Sequence, residues 1–501
     1  MEDPIRETGS HLGAILADGM RGDGPLYRLL ATALKQAIDR GDVPLGTVLP
    51  PERALANALA VSRATVVAAY DRLKAEGWLE SRRGSGTWVR DATASLHPGV
   101  DAVSTGRLFL ANDAIGSLTD PSSESASDSD VIELSVAAVT GASVIADVLL
   151  ELTRDDIEAL TGHHGYVPQG LRALRGRVAD YYAAMQLPTL ADQVIVTTGA
   201  HQALSLVARQ AVQPGDAVLV ESPTFPGALD VFRRFGARPI PLPVDEHGAR
   251  TDTIAELVER ADPAMIYVAP HFHNPTGTVM PVERRMELGA IAAQSRTPVV
   301  EDLALADVAI DDIDLPPPIA ALCPEATVHT IGSTAKLFWA GLRIGWLRTP
   351  ESWAPRMLAT KTVADLGSPL LSQLLVFRLL DRIDDVKTQR REQLRPRRDQ
   401  MCALLAEHLP DWSYRCPSGG LSLWVTLPHG NADEFADVAM RHGVAIVPGP
   451  ALSVDEGNRR CLRLVYAHTE ADIDEGVRRL VAAWEAYVST TTSRSSARLL
   501  V

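Results

Sequence analysis

Apolar residues near the start of the chain recur at the three-and-four spacing of amphipathic helices, then switch to alternation. Leu26, Leu29, Leu30, Leu34 and Ile38 trace one helical stripe. Pro50 and Pro51 mark the start of a second helix, where a missing N–H is harmless, and Leu55, Leu59 and Val61 supply its apolar side. Ser62 is placed to cap a third helix from Arg63 to Glu76, with Val66, Tyr70 and Leu73 turned inward. Gly77 stops that helix, and WLESRRGSGTWV reads as two short strands around Gly84, Ser85 and Gly86. Three helices and a hairpin predict an α+β winged helix-turn-helix over residues 25–90, behind an N-terminal extension of residues 1–24.

From 91 to 130 the periodicity fades, and the run TDPSSESASDSD is too polar to bury a core, so this stretch is expected to be a linker. Beyond it, the strand-like runs QVIVTT, AVLVES, AMIYVAP, PVVED and ATVHTIGS alternate with helical stretches. That alternation predicts an α/β body over 131–488 with a large, mostly parallel sheet covered by helices. From about residue 352 the pattern becomes more helical and ends in LSLWVTLP, VAIVPG and CLRLVYA, as for a smaller α+β domain. Residues 489–501 read as a flexible tail.

A chain of 501 residues needs more than one core, and 46% hydrophobic with 22% charged residues is a globular composition. No apolar run of 18 residues occurs, and the opening MEDPIRETGS has no apolar leader core, so a cytoplasmic protein is expected. Cys323, Cys402, Cys416 and Cys461 lack the two-residue spacing of a zinc clip or redox pair and read as reduced thiols, and no metal is expected. The net charge of −15 is uneven: residues 25–90 hold ten Lys/Arg against six Asp/Glu, a local +4. Only that segment suits the phosphates of a nucleic acid.

A recognition helix must project polar and cationic side chains from its first turn while its other face packs on the domain. Ser62, Arg63 and Thr65 lead the third helix in that way, while Arg53, Arg82, Arg83 and Gly84 are placed to reach backbone or groove. The ordered run LPPERALANALAVSRATVVAAYDRLKAEGWLESRRGSGTWV closely resembles the winged-helix domain of the GntR family. The resemblance implies that Arg53, Ser62, Arg63, Thr65 and Gly84 contact double-stranded DNA, with Arg63 suited to a guanine edge. Val67 stands where some members carry another arginine, so the family's base preference does not carry over.

The body offers the parts of a pyridoxal 5'-phosphate site: a lysine, an acid for the ring nitrogen, a phosphate cup and an aromatic plate. Lys336 in GSTAKLFWAGLRIGW has apolar neighbours that favour a neutral amine. Asp302 ends an apolar strand, where α/β sheets form ligand crevices. Gly199, Ala200 and His201 stand at a strand-to-helix turn able to aim N–H groups at an anion. Phe225 in ESPTFPGAL and Asn274 in HFHNPTG are placed for ring contacts.

Together these motifs resemble fold-type I aminotransferases, and with the head they resemble the MocR subfamily of regulators over nearly the whole chain. The resemblance implies that Lys336 holds the cofactor, Asp302 pairs with the ring nitrogen, and Asn274 and Phe225 flank the ring. It gives the phosphate to Gly199, Ala200, His201, Ser333 and Arg343, and a partner subunit's phosphate to Tyr166 in a homodimer. Arg463 in CLRLVYA matches an arginine that clamps a ligand carboxylate. One position departs: many members read EDDY where this chain reads EDLA, with Ala304 in place of a tyrosine. The expected function is a DNA-binding regulator that senses an amino compound by aldimine exchange on Lys336; the alternatives are a working aminotransferase with a regulatory head, or a body that only dimerises.

Overall fold

The computed structural model describes residues 8–16, 25–39, 43, 47–75, 79–82, 86–89, 131–455 and 457–496. The chain divides into two compact units, a head within residues 1–100 and a body from residue 114 onward. The expected linker at 91–130 lies outside the described residues.

In the head, helices Leu26–Asp39, Glu52–Leu59 and Arg63–Ala75 pack beside a three-stranded antiparallel sheet. Its strands are β1 (Val48–Leu49), β2 (Leu79–Arg82) and β3 (Gly86–Val89), in the order β1-β3-β2. Leu30, Leu34, Leu55, Val66 and Leu73 are fully buried between them. Leu26 is a correction to the expected stripe: it opens the helix and is 51% exposed, so packing begins at Leu30. A fourth helix, Gly9–Leu16, folds from the N-terminal extension and buries Leu12 and Leu16 in the same core.

The body holds an eight-stranded mixed sheet. Its strands, in chain order, are β4 (Val194–Thr197), β5 (Ala217–Ser222), β6 (Arg238–Asp245), β7 (Gly248–Ala249), β8 (Met265–Val268), β9 (Val299–Asp302), β10 (Val328–Ser333) and β11 (Gly345–Arg348). Across the sheet they run β4-β11-β10-β9-β8-β5-β6-β7. The five strands from β10 to β6 are mutually parallel, as the sequence predicts, whereas β11 runs antiparallel to both neighbours and β7 antiparallel to β6.

Burial on both faces explains the unbroken apolar runs. Ile195, Val218, Val220, Tyr267, Val300, Ile331 and Leu347 enter one helix-covered layer, while Val196, Leu219, Ile266, Val268, Val299 and Trp346 enter the other. Strand β6 escaped the sequence reading because RPIPLPVD carries three prolines. They fall at alternate positions, so their missing N–H groups all face away from β5, on the side where pairing is confined to Val244 and Asp245.

The smaller domain begins later than residue 352. Helices Ala354–Asp365 and Leu370–Leu379 pack on the large sheet's cores through Met357, Leu375, Val376 and Leu379. The helix Ile383–His408 bridges the two, with Val386 in the large core and Leu394, Met401 and Leu405 in the small one. Leu134 and Val139 join that small core from far upstream, as do Val308 and Ile310. The last helix, Glu470–Ser496, runs past Ser489, where a tail was expected, since no glycine or proline interrupts that segment. No described helix is long and apolar enough to cross a membrane.

Candidate functional site

Parallel strands of an α/β sheet leave a crevice beyond their carboxyl ends. Asp302 is the last residue of β9, Lys336 lies three residues past the end of β10, and Asn274 follows β8. A small pocket is lined by Lys336, Asn274, His273, Phe272, Ala137 and the Gly420–Ser422 segment.

Lys336 stands in a wide π-type turn, Ala335–Trp339, a geometry that recurs where helices are adapted to function. Its Nζ donates to the Ala137 carbonyl oxygen at 2.6 Å. Desolvation and the nearby Arg463 charge lower its pKa from 10.5 to about 8, against the pull of Asp302. Asp302 is held by the Ala304 N–H at 2.9 Å on Oδ1 and by the Tyr267 hydroxyl at 2.7 Å on Oδ2. Burial raises its pKa, those two hydrogen bonds and Lys336 oppose the rise, and the buried Glu221 carboxylate adds to it.

Arg463, from the small domain's sheet, is 3% exposed. It donates through Nη1 to Asn274 Oδ1 at 3.0 Å and through Nη2 to the Ser135 carbonyl oxygen at 2.5 Å. Its Nε is buried without a hydrogen-bond partner. Burial lowers its pKa to about 10, with Glu133 acting the other way. A buried guanidinium with an unused N–H is a costly arrangement that an anionic ligand would relieve. Because Asn274 offers its carbonyl to Arg463, its amide N–H groups are turned elsewhere.

Beneath this, Gly199 caps the helix Ala200–Ala211 with φ at +132°, a value few L side chains tolerate. The Arg343 guanidinium lies over it: a Cβ on Gly199 would sit 3.5 Å from Nη2. Gly345 permits the same close approach, since its Cβ would meet the Gly199 backbone at 2.8 Å. A cation beside a helix N-terminus is repulsive until an anion bridges them, so this corner fits a phosphate. Desolvation and the Arg343 charge lower the pKa of His201, against the pull of Asp230. Ser333 is nearly buried and accepts the Ala335 N–H at 3.2 Å.

Two further predicted residues lie at the margin of this arrangement. Phe225 packs over Gly227 beside His201, at the phosphate corner, and Phe272 is an aromatic that lines the pocket. Tyr166 is 63% exposed, tilted against the His164 ring, and does not line the pocket of its own chain.

Tyr267, Phe272, His273 and the Ser135–Ala137 backbone escaped the sequence reading. His273 Nε2 faces Glu221 Oε2 at 3.2 Å, and Nδ1 meets Thr276 Oγ1 at 2.8 Å. Tyr267 carried a signal: it is the polar residue in an otherwise apolar strand, and buried hydroxyls find partners.

In the head, Ser62 caps the recognition helix, its Oγ accepting the Thr65 N–H at 3.1 Å and meeting Thr65 Oγ1 at 2.8 Å. Arg63 opens that helix, and it and Arg53 are exposed. Arg82 closes β2, while Arg83 and Gly84 lie outside the described residues.

Residues 129–480 match the family Aminotransferase class I and II, and residues 26–89 match Bacterial regulatory proteins, gntR family. The chain is 30% identical over 467 residues to the HTH-type transcriptional regulator YisV of Bacillus subtilis, covering 91% of this chain and 96% of that protein. It is 32% identical over 405 residues to the rhizopine catabolism regulatory protein MocR of Rhizobium meliloti, covering 78% and 79%. Among solved structures, the α-aminoadipate aminotransferase LysN of Thermus thermophilus, complexed with N-(5'-phosphopyridoxyl)-L-leucine, superposes with a TM-score of 0.65. That match has 28% identity and covers 72% of this chain and 94% of that one. The chain therefore belongs to the aminotransferase class I and II family and, through its gntR head and full-length relatives, to the MocR-type transcription regulators.

Proposed function

We propose that this regulator binds operator DNA through its head and holds pyridoxal 5'-phosphate on Lys336 in order to sense an amino compound. The observation that carries the reading is Arg463: a buried guanidinium whose Nε has no hydrogen-bond partner, bonded to the pocket-lining Asn274 and close enough to Lys336 to lower its pKa.

When bound, pyridoxal 5'-phosphate supplies an aldehyde that bonds reversibly to a primary amine, and a ring nitrogen able to draw electrons. Lys336 would hold it through Nζ, whose pKa near 8 leaves a reactive neutral fraction at physiological pH. Asp302, steadied by Tyr267 and the Ala304 N–H, would keep a proton on the ring nitrogen. The N–H groups of Gly199, Ala200 and His201, with Ser333 and Arg343, would receive the phosphate. Asn274 would donate to the ring oxygen from the amide nitrogen that Arg463 leaves free. Ala304 brings no hydroxyl to that oxygen, so Asn274 acts there alone, which favours binding over turnover.

Arg463 would then take the carboxylate of an incoming amino acid, releasing Asn274 or Ser135 as it does so. Such a ligand alters contacts between the two domains of the body, the differential interaction that any conformational signal requires. A second copy completes the site. Val167 lies against Gly367, so exposed Tyr166 shares a surface with exposed Val363, Leu366 and Leu371, an apolar stretch suited to a homodimer.

Titrating the purified protein with amino acids, polyamines and pyridoxal phosphate, while following visible absorption and operator affinity, tests this reading. A ligand that changes both supports it. Sustained transamination of a keto acid at enzyme-like rates would favour a working aminotransferase instead, and the absence of any visible chromophore after loading would leave the body a scaffold.

A further inference from the structure

Two cysteines that the sequence keeps fourteen residues apart meet in the small domain. Cys402, on the helix Ile383–His408, and Cys416, two residues past the strand Ser413–Tyr414, place their sulfurs 3.3 Å apart as free thiols. The contact is anchored from both sides. The Tyr414 hydroxyl donates to the Cys402 carbonyl oxygen at 2.6 Å, and Arg398, one turn earlier on the same helix, donates to the Pro417 carbonyl oxygen at 2.9 Å. Cys416 is exposed while Cys402 is half-buried, and burial together with the adjacent sulfur pushes the Cys402 thiol up. The Arg398 guanidinium, itself enclosed, lies within electrostatic reach of Cys416.

We propose that Cys402 and Cys416 are a modification site: a dithiol that a hydroperoxide converts reversibly to an intramolecular disulfide. The solvent-facing Cys416 sulfur is the one an oxidant reaches. Its thiolate attacks one peroxide oxygen, the O–O bond breaks, and Cys416 becomes a sulfenic acid as hydroxide leaves. Cys402 then supplies its sulfur, the S–O bond breaks, and water departs with the Cys402 proton. Overall the two thiols lose two electrons and two protons, and hydrogen peroxide becomes two waters. A disulfide needs about 2.0 Å between sulfurs, so an approach of little more than about 1 Å suffices.

The bond would tie the helix to the wall of the pocket. The segment after Cys416 is clamped on its far side, with the Ser418 carbonyl oxygen accepting the Ile310 and Asp311 N–H groups at 2.9 Å each. Gly420, Leu421 and Ser422 follow directly and line the pocket. This inference does not rest on the cofactor reading, because the thiols, their contact and the peptide that joins them to the wall are independent of any ligand.

The experiment uses the full chain, reduced and then exposed to stoichiometric hydrogen peroxide, with intact mass, peptide mapping and hydrogen exchange as readouts. The expected results are a loss of about 2 Da, the mass of two hydrogens, and a Cys402–Cys416 linked peptide. Dithiothreitol reverses both, and exchange at residues 418–421 slows in the oxidised protein. Cys416→Ser, at an exposed position that tolerates the change, should abolish the linked peptide and the slowing together. Cys402→Ser should instead leave Cys416 to stop at sulfenic acid, seen as a dimedone adduct. A cross-link between chains, overoxidation of Cys416 in the wild-type protein, or unchanged exchange at 418–421 despite the cross-link would overturn the proposal.

Discussion

The Tyr267 hydroxyl reaches across the β8–β9 pair to donate a 2.7 Å hydrogen bond to Asp302 Oδ2. The register explains how. Tyr267 lies opposite Val300, and Asp302 is the next residue of β9 on the same face, at the open end of the strand. Replacing Tyr267 with Phe removes the bond and leaves a partly buried carboxylate with the Ala304 N–H as its remaining donor. Stability should fall by about 1–3 kcal/mol, as for a hydrogen bond to a charged group. The affinity for pyridoxal phosphate should fall as well. Denaturant melts with and without the cofactor check this, and unchanged cofactor affinity in Tyr267→Phe would remove its positioning role.

Lys336 should react with pyridoxal phosphate in a pH-dependent way. The neutral amine is the nucleophile, and with a pKa of about 8 the direction is upward: about 1% of Lys336 is neutral at pH 6 and about 90% at pH 9. Rates of borohydride-trapped incorporation, read by mass spectrometry between pH 6 and 9, should follow that curve with a midpoint near 8. A midpoint near an ordinary lysine's 10.5 would contradict the desolvated setting, and Lys336→Ala should trap nothing.

Arg463→Lys exchanges a fork of donors for a point charge. The affinity for an amino acid should drop by about 2 kcal/mol or more, while the matching amine without a carboxylate should lose much less. Comparing the two ligands in a spectral titration separates carboxylate recognition from general damage to the pocket, because both share the amine chemistry. Equal losses would assign Arg463 a structural role alone.

Gly199→Ala places a side chain where φ is +132°, at a strain of about 1–3 kcal/mol, directly under Arg343. Binding of inorganic phosphate and of pyridoxal phosphate should both weaken. Binding of pyridoxal, which lacks the phosphate, should change less.

In the head, Arg63→Ala should weaken specific operator binding by about 1–3 kcal/mol and relax one base position. Arg82→Ala should instead weaken binding to all sequences alike and lower the salt slope by about 1. Competition binding at several salt concentrations distinguishes the two patterns, and identical behaviour of both variants would erase the division between base and backbone contacts.

Much of the architecture was legible because it rests on local signals. The three head helices follow from apolar spacing, and the Ser62 cap follows from residue type, which the Ser62–Thr65 bonds bear out. The central parallel strands announce themselves as apolar runs because both faces are buried. Strand β6 did not, since its three prolines are tolerated only at a sheet margin, a fact of topology rather than composition. The helix Gly9–Leu16 was missed because eight residues make too short a periodic signal, although Leu12 and Leu16 fill a core built by distant residues.

The sequence by itself determined which chemistry-bearing residues exist and where each sits relative to its own strand or helix: Lys336 past a strand, Asp302 at a strand end, Gly199 at a helix start. Only the tertiary structure decided who meets whom. Arg463 and Asn274 are separated by 189 positions and Lys336 and Ala137 by 199, yet each pair shares a hydrogen bond. Phe272 lines the pocket, and Cys402 faces Cys416 instead of standing alone. The reason is physical. Periodicity and capping are set by interactions a few residues long, whereas a side chain's partner, burial and charge state depend on packing between elements, and local sequence carries little trace of that.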